Sequence, residues 1–162
     1  MTNPDAALRR SLVRPEREQH GTVLLEAATD APGVSVARVQ PTLERMARRG
    51  QISRRQMLAG ERIYRAWALG IVGARDGEAS GNGSDPSGYT DRRLDAATEY
   101  RRLRDAIGMR PWICVFHVCC EDWSLERFAN DVGKSMDRKA WAGVLKLALS
   151  TAADHLGLPG DD

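Results

Sequence analysis

Four residues that could do chemistry crowd into seven positions: Cys114, His117, Cys119 and Cys120. Thiolate and imidazole are zinc ligands. On a helix, Cys114 and His117 share a face, and so do His117 and Cys120. Structural zinc usually takes two separated ligand pairs, and the second pair is missing, because His20 and His155 lie far away in sequence. The surrounding stretch, Trp112 to Cys120, is apolar nearly all round. A packed core helix is the simpler account of it, although periodicity alone does not separate a buried helix from a strand. The same apolar setting raises a thiol pKa, which argues against Cys119 and His117 as a nucleophilic pair. Glu121 and Asp122 suit charge and capping better than carboxylate catalysis. The chain has no Gly-x-Ser-x-Gly, no phosphate-binding Gly-rich loop and no His-Glu-x-x-His. No enzymatic activity, metal or cofactor is expected.

The second chemistry is the grip of cations on phosphate. Lys134, Ser135, Arg138, Lys139 and Lys146 follow a segment, Trp123 to Gly133, in which Ala129 and Gly133 have the spacing of a helix-turn-helix. Ala129 lets the next helix pack close, and Gly133 is expected to take a left-handed turn ending the first helix. Leu125, Phe128 and Val132 then face the core from that helix, and Trp141, Val144 and Leu145 from the second. The turn is about two residues longer than in the compact form of the motif. Cations at the start of the second helix are placed to meet phosphates or guanine edges in the major groove. The plainer account is a helical hairpin whose exposed face is basic. Arg127 and an upstream set, Arg45, Arg48, Arg49, Arg54 and Arg55, are candidates for further phosphate contacts. Val39 to Ile52 resembles the end of a winged-helix reader. A helix with Gly50 as its stop and Ile52 as an apolar anchor accounts for it better, since no strand pair for a wing follows.

These residues need elements to hold them. Residues 1–20 are polar, with Pro4 and Pro15, and are expected to be disordered. Val23 to Ala28 reads as a short helix, and Pro32-Gly33 breaks the chain. Ser35 or Gln40-Pro41 opens a helix through Leu43 and Met46 to Arg49. Ser53 and Gln56 have capping-box spacing at the head of another, with Met57, Tyr64, Trp67, Ala68 and Ile71 at helical intervals. Gly60 weakens that helix unless another backbone packs there. Residues 73–89, rich in glycine, serine and aspartate, read as a flexible linker. Asp91 is expected to cap a helix to Ile107, with Leu94, Ala97, Tyr100, Leu103 and Ile107 on one face. Ser124 or Asp122 caps the next short helix. Asp137 caps the last, whose stripe is Trp141, Val144, Leu145, Ala148, Leu149, Ala152 and Leu156. The expected fold is all-α, with helical parts at 21–72 and 90–158 and no convincing strand.

Composition agrees with a reduced, cytoplasmic setting. The 162 residues suit one compact domain or two very small ones, and 42% are hydrophobic. Three clustered cysteines do not make a secreted disulfide framework. No apolar run approaches a membrane span, and no signal segment opens the chain. Net charge is only +2, unlike an abundant non-specific nucleic-acid coat. Residues 1–73 nevertheless carry twelve arginines, no lysine and seven acids, a surplus of five that leaves the remainder at −3. An arginine-only basic half suits phosphate or carboxylate contacts as well as a merely solvated surface.

From Arg49 onward the chain resembles a domain of unknown function common in alphaproteobacteria and their prophages. The residues that carry the likeness are Arg49-Gly-Gln-Ile-Ser-x-x-Gln56, Ala59-Gly-Glu-Arg62 and Trp67. After the Gly-rich insert come Asp95-Ala-Ala-x-x-Tyr100-Arg, Val118-Cys-Cys-Glu121, Ser124-Leu-Glu-x-Phe-Ala129, Leu145-x-Leu-Ala-Leu149 and His155-Leu-Gly-Leu158. The likeness covers about two thirds of the chain. A similar domain forms the C-terminal part of the gene transfer agent activator, and the C-terminal half also looks like the helix-turn-helix of sigma-factor region four. The resemblance implies a transcription regulator of a phage-like gene cluster. Its implied partners are double-stranded DNA and RNA polymerase, with homo-oligomerisation open. The chain lacks the separate N-terminal DNA-binding domain of the long activators. Two alternatives remain: an adaptor docking on RNA polymerase through an exposed face that includes Ala142, Gly143 and Ser150, and a phage packaging or assembly factor.

Overall fold

The computed structural model describes residues 23–27, 35–39, 41–73 and 86–160, with side chains described at 41–73 and 90–160. The fold is all-α, preceded by a two-stranded hairpin. Strands β1 (Val23–Ala27) and β2 (Ser35–Val39) pair antiparallel, with Val23 opposite Val39 and Ala27 opposite Ser35. This corrects the helix expected at Val23 to Ala28 and the helix start at Ser35. Five-residue pieces are too short for a stable helix, and Val23, Val36 and Val39 suit a pleated pair. The strand pair precedes the Arg45 helix, where a wing would follow it. The expectations for 1–20 and for Pro32-Gly33 lie outside the described residues.

Six helices follow among the described residues. They are α1 (Thr42–Arg48), α2 (Arg54–Trp67), α3 (Pro86–Ile107), α4 (Met109–Val115), α5 (Leu125–Asp131) and α6 (Arg138–His155). Helix α2 runs on into a π turn at Ala68–Val72, and α4 into another at Phe116–Cys120. Three starts are capped as local sequence dictates. Ser53 and Gln56 form a capping box, Ser124 accepts from the Arg127 amide, and Asp137 accepts from the Ala140 amide. Helix α1 stops at Gly50, whose φ is +65°. There the Gly50 amide donates to Ala47 O and the Gln51 amide to Met46 O, the paired bonds of a Schellman ending. Helix α3 begins at Pro86, five residues before Asp91, so residues 86–89 of the expected linker are helical. Residues 74–85 lie outside the description.

One core joins both halves of the chain. Leu43, Met46, Ile52, Ala59 and Ile63 pack with Leu103, Trp112, Val115, Val118, Phe128, Trp141, Leu145 and Leu149. The apolar stretch Trp112 to Cys120 is its central rod, helical as expected, with Cys114, Val115 and Val118 almost wholly enclosed. Tyr100 meets Trp112 edge-on at 5.1 Å, and Phe128 meets Trp141 edge-on at 4.9 Å. Two helical stripes turn differently from expectation. On α2 the buried line is Ala59, Gly60, Ile63 and Ala66, and Tyr64 is exposed. Small residues lie inward there because other elements pass close. A Cβ on Gly60 would meet Leu43 Cδ1 at 2.5 Å, so side chains rather than a backbone crowd that position. On α3, Leu94 is 61% exposed, while Leu103 is buried. Val132 is 44% exposed because α5 has already ended at Asp131.

Candidate nucleic-acid interface

The connection from α5 to α6 runs from Val132 to Asp137 and turns on Gly133. Gly133 does not have the left-handed φ expected of it; among the described residues the glycines that do are Gly50, Gly108 and Gly157. It is glycine for lack of room. A Cβ there would lie 2.5 Å from Trp141 Nε1 and 2.7 Å from Phe128 Cε1. The Trp141 indole N–H donates to Gly133 O at 2.7 Å, which ties the turn to the first full turn of α6. The turn is longer than the three or four residues of the compact helix-turn-helix.

Helices α1 and α6 form opposite walls of a groove of about 400 Å³. Arg45 and Arg49 enter it from α1, and Arg138, Lys139 and Lys146 from α6. Thr42, Gln51 and Ser124 add polar groups, and Met46, Leu125 and Ala142 add an apolar lining. Two residues of the upstream cation set and three of the downstream set therefore meet in one site. Glu126 is the only acid in the lining.

The α1 wall is held by a contact no local pattern reveals. Asp122 has a φ of +58° and faces the head of α1. Its Oδ1 accepts from the Thr42 amide at 2.7 Å, and its carbonyl accepts from Thr42 Oγ1 at 3.3 Å. Arg45 Nη2 in turn donates to Thr42 Oγ1 at 2.9 Å. Asp122 thus caps α1, eighty residues away, and Ser124 alone caps α5. The loop between them is braced by the Trp123 amide donating to His117 O, by His117 stacked on Trp123 at 4.4 Å and by the His117–Glu121 pair.

The other expected contacts lie elsewhere. Lys134 and Ser135 line a separate open hollow of about 620 Å³ with Asn130, Met136 and Asp137, and only Arg138 and Glu126 border both. Arg127 lies 3.8 Å over the Trp123 ring and 3.6 Å from Asp131. Arg55 is a brace: it donates to Leu158 O at 3.0 Å and to Asp154 Oδ1 at 2.6 Å. Arg48 and Arg54 are exposed outside the groove lining. Ala142 lines the groove rather than the outer face.

Acidic partners hold only some of the surface cations. Among the described residues, Arg62 is held by Glu99, Arg104 by Asp105, Arg55 by Asp154 and Arg127 by Asp131. No acid among them pairs with Arg45, Arg49, Arg138, Lys139 or Lys146. Clustered cations without counter-charges raise the local positive potential and attract polyanions.

The cysteines have the opposite character. Burial pushes the Cys114 and Cys120 thiols up to about 12 and Cys119 well above its ordinary value. Such thiols stay protonated and are poor nucleophiles. No group of three or more His, Cys, Asp or Glu among the described residues could hold a metal ion. No helix among them is long and apolar enough to cross a membrane. Comparison with protein-family models, curated proteins and solved structures finds no match to the chain.

Proposed function

We propose that the protein is a DNA-binding transcriptional regulator of a phage-like or prophage gene cluster, gripping double-stranded DNA with the groove between α1 and α6. The observation that carries this reading is the convergence of cations from two distant parts of the chain on one groove. Arg45, Arg49, Arg138, Lys139 and Lys146 line one groove that holds a single acid, Glu126, and no ion pair among the described residues takes up any of the five. Phosphate contacts made by arginine and lysine supply most of non-specific DNA affinity. Arg45 is oriented in advance by Thr42 and Asp122, so less side-chain freedom is lost when a phosphate arrives. The likeness to activators of phage-like gene clusters supplies the regulatory half of the proposal. RNA polymerase is the second partner, and it would contribute promoter choice.

The decisive experiment is fluorescence anisotropy of a labelled generic duplex against the protein at low and moderate salt. The expected result is binding that weakens by about two orders of magnitude between roughly 50 and 200 mM salt, as four or five phosphate contacts require. Absence of binding at low salt would sink the DNA-binding reading. The exposed face formed by Ala140, Gly143 and Leu147 then favours the adaptor, for which an RNA polymerase pull-down is the test.

A further inference from the structure

We infer that the groove seats a run of phosphates from one nucleic-acid strand and that α6 reads no bases. The inference rests on the nucleic-acid reading above and adds what is recognised.

Helix α6 has three faces at 3.6 residues per turn. Trp141, Leu145, Ala148, Leu149 and Ala152 face the core. Arg138, Lys139, Ala142 and Lys146 form the flank that walls the groove. Ala140, Gly143 and Leu147 form the outer face, and all three are exposed, Leu147 at 71%. Nothing lies within 4 Å of the position a Cβ on Gly143 would take. A recognition helix reads base edges with arginine, asparagine, glutamine or acidic side chains on the face it turns to the DNA. Over the first turns of α6 the outer face has no side-chain donor or acceptor; farther along, Thr151 Oγ1 is bonded to Leu147 O and Asp154 to Arg55. The α6 cations Arg138, Lys139 and Lys146 line the groove shared with α1.

On the facing wall Arg45 and Arg49 stand one helical turn apart, with Arg45 tethered to Thr42. Cations on both walls of a single groove converge on the same chain of phosphates. That arrangement positions a backbone without sequence information. Glu126, on the same lining, opposes it.

The test uses two labelled duplexes of equal length and unrelated sequence, together with one of their single strands. The expected duplex affinities agree within a few-fold, with a log–log salt slope of about −3.5 to −4.5. The single strand should bind with a slope of about −3 to −4. Arg49→Ala and Lys139→Ala should each reduce the duplex slope by about one. Glu126→Gln should raise affinity for every probe, and Leu147→Ser should change none. Binding of the single strand alone would remove the duplex-binding regulator and leave the phosphate groove standing. A preference above about tenfold between the duplexes is the size of a bidentate base contact and would overturn the inference while keeping DNA binding. Unchanged slopes in both cation variants, or loss of binding in Leu147→Ser, would do the same. No binding of any probe would overturn both.

Discussion

At Gly133 a methyl group would lie within 2.8 Å of both the Trp141 and the Phe128 rings, against side chains that are themselves enclosed. Gly133→Ala should therefore cost about 1–3 kcal/mol, the usual penalty of forced overpacking, measured by urea unfolding. Ala129→Gly, a neighbouring change without that overlap, separates crowding from helix propensity: it should cost about 1 kcal/mol. The thiols give a second prediction at this scale. In the unfolded chain they ionise near the ordinary value of 9.0, while Cys114 and Cys120 in the fold wait until about 12. Their neutral forms therefore favour the folded state fully below about pH 9, and that stability is lost as pH rises toward 12. Thiolate absorbance at about pH 10 should be small in the folded protein and should appear together with unfolding. Full thiolate absorbance before unfolding would contradict the burial.

Helix ends are where single residues decide whole elements. Ser53→Ala removes the acceptor for the Gln56 amide, at the point where α2 enters the core. The expected loss is about 1 kcal/mol, in the range of 0.5–2 for an N-cap, read from thermal or urea unfolding. A loss below about 0.3 kcal/mol would mean that the Gln56 contacts with Lys146 O and Ser150 already fix the end of α2. Helix α1 differs, because Pro41 contributes no side-chain cap and its own seven residues are too few to be stable alone. It stands because Asp122 caps it from the far part of the chain and because Leu43 and Met46 enter the common core. The groove's α1 wall is in that sense a tertiary product.

For the molecule as a whole, the shared core makes residues 41–73 and 86–160 one cooperative unit. Ile63 and Leu43 from the first pack against Leu149 and the Cys119 region of the second. Far-ultraviolet circular dichroism and tryptophan fluorescence should then report one coincident transition in urea. A fragment beginning at residue 86 should lack a cooperative transition, because α2 would be missing from beside α6 and the central rod. Two separated transitions, or a stably folded fragment, would show that the halves stand alone. The exposed Arg62–Glu99 pair also links them, but exposed ion pairs contribute little, and the apolar core carries the coupling.

Local sequence determined the features that depend on neighbours within one turn. The capping serine at Ser53, the Gly50 stop, the Asp137 cap and the stripe on α6 were all legible, because each is fixed by spacing of three to five residues, while the rod at Trp112 to Cys120 was legible only as apolar, its helical surroundings favouring helix. Side-chain periodicity misassigned Leu94, Tyr64 and Val132, since an amphipathic face is defined only by what packs against it. The hairpin was hidden because a five-residue apolar piece carries too few periods to separate strand from helix. The basic residues were visible as two unrelated sets, Arg45 to Arg55 and Lys134 to Lys146. Only the tertiary fold divided them, drawing Arg45 and Arg49 beside Arg138, Lys139 and Lys146 and turning Arg55 into a brace. The physical reason is distance along the chain: a contact such as Asp122 to Thr42, eighty residues apart, follows from packing of the core and leaves no mark on either local pattern.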